Sequence, residues 1–479
     1  MGRVRCEDEG VVAEPASPRS APSPGAESQG VSPVAESQGV SPVPESLGSP
    51  PVPEFQGAAS VPGLPRVPSA AEPVPPLTSL VAVPDDPGIA RLHALVAARR
   101  DEMVALRRDL HAHPELARTE ERTTRVVADR LAAVGLQPVL FPGTGLMCDI
   151  GERTDGRPRV ALRADMDALP IPDTCGEPYA STTRGVAHAC GHDVHTAALL
   201  GAGLALADLE AAGELDVAVR LLFQPAEEVQ PGGSIGVMAA GGLDGVGQVF
   251  AMHCDPKVDV GRVGTRIGPI TSASDEVHVA LRGPGGHTSR PYLTADVVFA
   301  LGQVITQVPA VLGRRLDPRS GVNLTWGSVR AGSAANAIPA SGTLTGTLRC
   351  LDVRAWEAAA EVFEAAVRDV VEPYGVDLEV RCQRGVPPVV NDESSTHLLD
   401  AAVRDVLGPD AVVLTEQSLG GEDFGWYLTR TPGSMARLGT RVPGGHTYDI
   451  HQGDLRVDER AIEAGSLVLA RVALLAGRR

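Results

Sequence analysis

Lysine is all but missing from this chain. Lys257 is the only one in 479 residues, and the formal net charge is −18. A nucleic-acid or anionic-membrane surface needs clustered Lys and Arg, so neither class of partner is expected. No uninterrupted apolar run of about eighteen residues occurs, and no membrane span is expected. Cysteine is present but without a framework: Cys6, Cys148, Cys175, Cys190, Cys254, Cys350 and Cys382 are odd in number and lack paired spacings. Reduced thiols follow from that. No apolar segment follows Met1–Glu9, so no secretory signal is read and the cytoplasm is the expected compartment. A Walker loop, a His-Glu-x-x-His pair, a dinucleotide fingerprint and a Cys-x-x-Cys pair are all absent.

Residues 1–85 are dominated by Pro, Ser, Glu, Gly, Val and Ala, with Phe55 the only aromatic. Glu-Ser-Gln-Gly-Val-Ser-Pro-Val occurs at Glu27–Val34 and again at Glu36–Val43. Such a repeat buries too little apolar surface to offset chain entropy, so a disordered extension is expected there. Order is expected from near Pro87, with helices over Ile89–Asp109 and about Glu120–Val134.

Beyond them, the short apolar runs Val160–Ala164, Val217–Phe223 and Gln248–Met252 alternate with helical stretches at Thr196–Ala212 and Gly233–Ala240. That alternation predicts an α/β domain on a mainly parallel sheet, whose ligands sit at the carboxyl ends of the strands. Asp165 and Asp167 follow the first run, Glu227 and Glu228 the second, and His253 the third. Between 274 and 386 the order becomes β-α-β-β-α-β, the ferredoxin-like split pattern. The expected layout is therefore a discontinuous α/β domain over 86–273 and 387–479, interrupted by an α+β insert over 274–386.

The candidate chemistry centres on Ala189-Cys190-Gly191-His192-Asp193-Val194-His195, a loop that opens onto an apolar helix. Cys and His are ligand types for zinc and similar ions. Adding Glu227, Glu228, His253 and, in Asp449-Ile450-His451, His451 gives about the number of donors two divalent cations need. One carboxylate is then left to move a proton. Neighbouring glutamates suit this because adjacent side chains at a strand end can diverge.

Five segments carry a family resemblance: Arg107–Leu116, Arg163–Ile171, Ala189–Ala197, Phe223-Gln224-Pro225-Ala226-Glu227-Glu228 and Gly421-Glu422-Asp423-Phe424. They resemble the metal-dependent amidohydrolases of the hippurate hydrolase and indoleacetyl-amino-acid hydrolase type, within the two-metal peptidases that include aminoacylases and carboxypeptidase G. The resemblance runs from about Arg91 to the C-terminus. It implies Cys190, His192, Glu228, His253 and His451 as ligands of two divalent cations, with Zn, Mn, Co and Ni all compatible. It also implies Glu227 as the general base of amide hydrolysis on N-acyl amino acids, with Asp165 and Asp167 fixing histidine orientation. It implies a catalytic role for the discontinuous domain and a lid or dimerisation role for the insert, where Gly285-Gly286-His287 would place His287 on the scissile carbonyl, in dimers often from the partner subunit, while Asn336 and Arg349 would grip the substrate carboxylate. Two departures lie beside the site: Val194 where the family usually has Gly, and Ile450-His451-Gln452-Gly453 where it has Leu-His-Ser-Pro. The competing expectations are a dipeptidase or carboxypeptidase using the same metals, and a non-catalytic small-molecule binder on the same fold. A structural zinc site would need a closed Cys/His tetrad, which the sequence does not offer.

Overall fold

The computed structural model describes residues 74–152 and 156–478. The first helix, α1 (Pro87–Ala112), starts where the Asp86 side chain accepts the Ile89 N–H at 2.9 Å, with Pro87 at the first helical position. Then come α2 (Glu121–Ala133), β1 (Leu146–Ile150), β2 (Arg159–Asp165), α3 (His192–Ala211), β3 (Val219–Gln224) and β4 (Val246–Asp259). The insert follows as β5 (Ala273–Arg282), α4 (Val297–Arg315), β6 (Asn323–Ala331), β7 (Ser341–Cys350), α5 (Val353–Val371) and β8 (Asp377–Val386). The chain closes with α6 (Glu393–Leu407), β9 (Gly433–Arg441) and α7 (Arg460–Ala476). Aspartates cap α4, α5 and α6 as Asp86 caps α1: Asp296, Asp352 and Asp392 each accept a backbone N–H three residues on.

The large sheet has eight strands, and its central order is β1-β3-β2-β4-β9. The β3–β2, β2–β4 and β4–β9 pairings are parallel, while β1 joins β3 antiparallel. Both faces are covered, which explains why these strands read as continuous apolar runs. Val160, Leu162 and Ala164 pack with α1, α3, α6 and α7, while Ala161 faces a second cluster with Leu222, Val249, Phe424 and Tyr427. The insert carries its own sheet, ordered β6-β7-β5-β8 with every neighbour antiparallel, and its core joins α4 and α5 through Val304, Val308, Phe363 and Val367. The fold is thus a mainly parallel α/β sheet with an inserted ferredoxin-like α+β domain.

Two expectations change. The expected extension over 1–85 lies, up to residue 73, outside the described residues. Its last part is folded: Leu77 is 1% exposed, packs in the main core, and donates its N–H to Glu463 Oε2 at 2.9 Å. Pro-rich composition hid a short apolar anchor, Leu77 with Val81 in the core and Val74 against it. His253 does not follow the third strand but lies inside β4, opposite Arg437 of β9. The backbone ladder continues after the apolar run stops, because the last turns of β4 face a polar cavity. Helices α3 and α4 are long and apolar enough to cross a membrane by length and composition. In the fold α3 is a core helix, 83% buried over its apolar window, and α4 lays Ala300, Val304 and Val308 on the insert's sheet.

Candidate metal centre and active site

Gly191 makes the turn that brings two donors together. It sits at φ +86°, ahead of α3, so that Cys190 and His192 flank a left-handed residue. A Cβ at Gly191 would stand 2.9 Å from Cys254 Sγ. Gly191→Ala is therefore expected to cost about 1–3 kcal/mol of stability through backbone strain, read as a lowered Tm. A variant as stable as wild type would remove this reason for the glycine.

The donors converge from four elements. The ligand atoms of Cys190, His192 and His253 lie within 4.8 Å of one another, as do those of Cys190, Glu228 and His451, and those of His192, Glu227 and Glu228. His253 Nδ1 donates to the Cys254 carbonyl at 2.8 Å, which leaves Nε2 facing Cys190 Sγ at 3.4 Å. His451 enters from the C-terminal segment. Its N–H is fixed by Ala189 O at 2.7 Å, its backbone is left-handed at φ +61°, and its Nε2 lies 3.5 Å from Glu228 Oε1. Ala226, before the glutamates, is left-handed too, at φ +58°. Non-glycine residues in that region store strain and cluster at functional sites.

Asp167 holds the glutamate pair. Its two oxygens accept the N–H groups of Glu227 at 3.1 Å and Glu228 at 2.9 Å, and Oδ1 stands 3.3 Å from His192 Nδ1. Asp165 takes a different partner. It accepts from His195 Nδ1 at 2.5 Å, and His195 Nε2 accepts the Cys254 N–H at 2.7 Å. His195 is thereby saturated and leaves no nitrogen for a ligand. Arg163 braces the whole floor: it is fully buried and reaches Asp165 at 2.7 Å, Asp423 at 2.8 Å, Gln224 at 2.9 Å and Glu422 at 3.2 Å.

Cys190, Glu227, Glu228, His253, His451 and Arg349 line one cavity of about 300 Å³. Arg349 reaches it from β7 and donates to the Leu419 carbonyl. His287 and Asn336 do not line it. They lie on an exposed two-stranded element in which Gly286–His287 pairs with Ala337–Ile338, and His287 Nδ1 accepts the Ser289 N–H at 3.1 Å.

These residues fit divalent cations on three counts. His192 Nδ1, His192 Nε2 and Glu228 Oε1 are buried with no hydrogen-bond partner, a cost of about 1–3 kcal/mol per group unless something else engages them. The donors are a thiol, imidazoles and carboxylates, a borderline set. The site is also short of positive charge. Burial, with Glu228 and Glu227 nearby, pushes the Cys190 thiol well above its ordinary range. Burial, with Glu422 and Glu228, does the same to the Glu227 carboxyl. Burial lowers His192, but Asp165, Asp167 and Glu228 outweigh it and raise the imidazole to about 10. Protons thus stand where cations would, and loading would displace them.

Residues 161–475 match Peptidase family M20/M25/M40. The chain belongs to that family. As a member it is a hydrolase acting on amide or peptide bonds. A Rhodococcus jostii protein that carries a glutamate–cysteine ligase name is 48% identical over 78% of this chain, and the chain spans 46% of that protein's length. N-acetyl-L-cysteine deacetylase of Bacillus subtilis is 38% identical over 77% of this chain and 86% of its own. Among solved structures, a dinuclear metal-binding M20 peptidase from Bacillus subtilis superposes with a TM-score of 0.69 at 31% identity, over 80% of this chain and 99% of that one.

Sequence reasoning missed Arg163 and Arg437. Both were legible as arginines inside apolar runs, Val160–Ala164 and Ala436–Leu438, a placement that demands a partner.

Proposed function

We propose that this chain hydrolyses N-acyl amino acids to a carboxylic acid and a free amino acid. The observation that carries the proposal is Glu227, a half-buried carboxylate beside a full Cys/His/Glu donor set, with its backbone pinned by Asp167. A pure binder has no use for such a base.

Cys190, His192, Glu228, His253 and His451 would hold two divalent cations, which supply Lewis acidity and make a water acidic enough to attack at neutral pH. Glu227 takes a proton from the attacking water and delivers it to the departing nitrogen. Asp165 and Asp167 fix the groups around them: Asp165 sets the His195 tautomer, and Asp167 sets the direction of both glutamates. Arg349 is placed to grip the substrate carboxylate.

His287 and Asn336 serve a second copy of the chain, His287 reaching the scissile carbonyl and Asn336 the carboxylate. This homodimer is supported by their shared exposed element and by the exposed apolar side chains Tyr292, Leu293, Val298 and Phe299 next to it. The deacetylase named above acts on a small N-acyl amino acid, which supports the substrate class. The cytoplasm is the compartment proposed for a chain with free cysteines.

Metal analysis after reconstitution tests the ligand set. Wild type is expected to hold two divalent cations per chain, and Cys190→Ser to fall below that number. Full stoichiometry in Cys190→Ser would take the thiolate out of the site.

A further inference from the structure

Two guanidiniums line the donor cavity, and they differ in one respect. Arg349 donates to the Leu419 carbonyl. Arg437, midway along β9 between the buried Ala436 and Leu438, is 9% exposed. Among the described residues no hydrogen bond or ion pair engages its guanidinium. It lines both the donor cavity and an adjoining cavity of about 420 Å³, and Ser418 and Ile450 border both.

A buried cation without a partner is costly. This one also stands opposite His253 in the β4–β9 pairing. The carboxylates around the adjoining cavity do not answer it. Asp255 accepts the Lys257 N–H, Asp449 accepts the Ile450 N–H, and neither these nor Glu416 pairs with Arg437. Glu227, Glu228 and Glu422 share the donor cavity with Arg437 but form no ion pair with it among the described residues, so the guanidinium is open to an anion from outside the chain at the junction of the two cavities.

We propose that Arg437 anchors a second carboxylate of the substrate. The preferred substrates are then N-acyl amino acids with two carboxylates, one for Arg349 and one for Arg437. This rests on the N-acyl amino acid reading. The second carboxylate comes either from the amino-acid side chain or from the acyl group.

Binding and turnover separate the claims. Calorimetry on the metal-loaded protein would compare succinate and glutarate with butyrate. Wild type is expected to prefer the dicarboxylates by about 10–100-fold, the range of a hydrogen-bonded charge pair. Arg437→Met should abolish the preference and Arg437→Lys should restore part of it. Arg437→Met should also melt no lower than wild type, since it removes an unpaired buried charge; a purely structural arginine would lower the Tm. N-acetylglutamate against N-acetylglutamine, and N-succinylleucine against N-butyrylleucine, then assign the carboxylate to side chain or acyl group by kcat/KM. Equal binding of mono- and dicarboxylates in wild type would overturn the proposal, and so would a preference that survives Arg437→Met. Should no N-acyl substrate be cleaved, the reaction assignment fails while the dicarboxylate preference still decides the role of Arg437.

Discussion

Glu227→Gln is expected to lower turnover by about 10²–10⁴-fold, the usual worth of a positioned acid–base group, while metal content stays at the wild-type value. The amide keeps the size of the side chain. Its backbone N–H remains on Asp167, and Cys190, His192, Glu228, His253 and His451 are untouched. What is lost is the ability to accept a proton from water and return it to the leaving nitrogen. Parallel measurement of kcat and bound metal decides the matter. Turnover retained at full metal content would show that another group moves the proton. Turnover and metal lost together would make Glu227 a ligand instead of a base.

The largest stability effect is expected at Arg163. Arg163→Met removes the guanidinium that meets Asp165, Glu422 and Asp423 under the site. Breaking a buried charge network by deleting one partner costs about 3–5 kcal/mol, because the remaining charges stay buried without an answer. Burial already pushes the Asp423 carboxyl up to about 7, against the pull of Arg163 and with Glu422 adding to the rise. Without the guanidinium, Gln224 and the Ser234 N–H are the remaining donors to Asp423. Urea unfolding measures the loss. A change under about 1 kcal/mol would mean that the carboxylates relax or take up protons at little cost.

Much of this architecture is written locally. Alternating apolar runs and helical periods place the sheet, and the β-α-β-β-α-β order of the insert appears in the structure as β5-α4-β6-β7-α5-β8. Cys190 and His192 were legible as candidate donors beside Gly191, and Glu227, Glu228 and His253 because they come soon after apolar runs, whereas His451 has no such local mark and its role as a ligand was carried by the family resemblance. What escaped depends on partners distant in sequence. His253 reads as the residue after a strand until β9 is known to pair alongside it. Leu77 reads as part of a Pro-rich tail until α7 supplies Glu463. Arg163 and Arg437 read as strand residues until their surroundings show one saturated with carboxylate contacts and the other, among the described residues, in no ion pair. His287 and Asn336 illustrate a further limit, since their place outside the donor cavity follows from how the insert is carried and not from any local pattern.

Amino-acid release, detected with ninhydrin, tests the central claim most directly. The metal-reconstituted protein would be offered benzoyl-, acetyl- and indoleacetyl-amino acids alongside a set of dipeptides. The account predicts release from the acyl substrates in excess of release from dipeptides, lost when the metal is chelated and regained when it is returned. Silence on every acyl substrate, with two cations bound per chain, would contradict it.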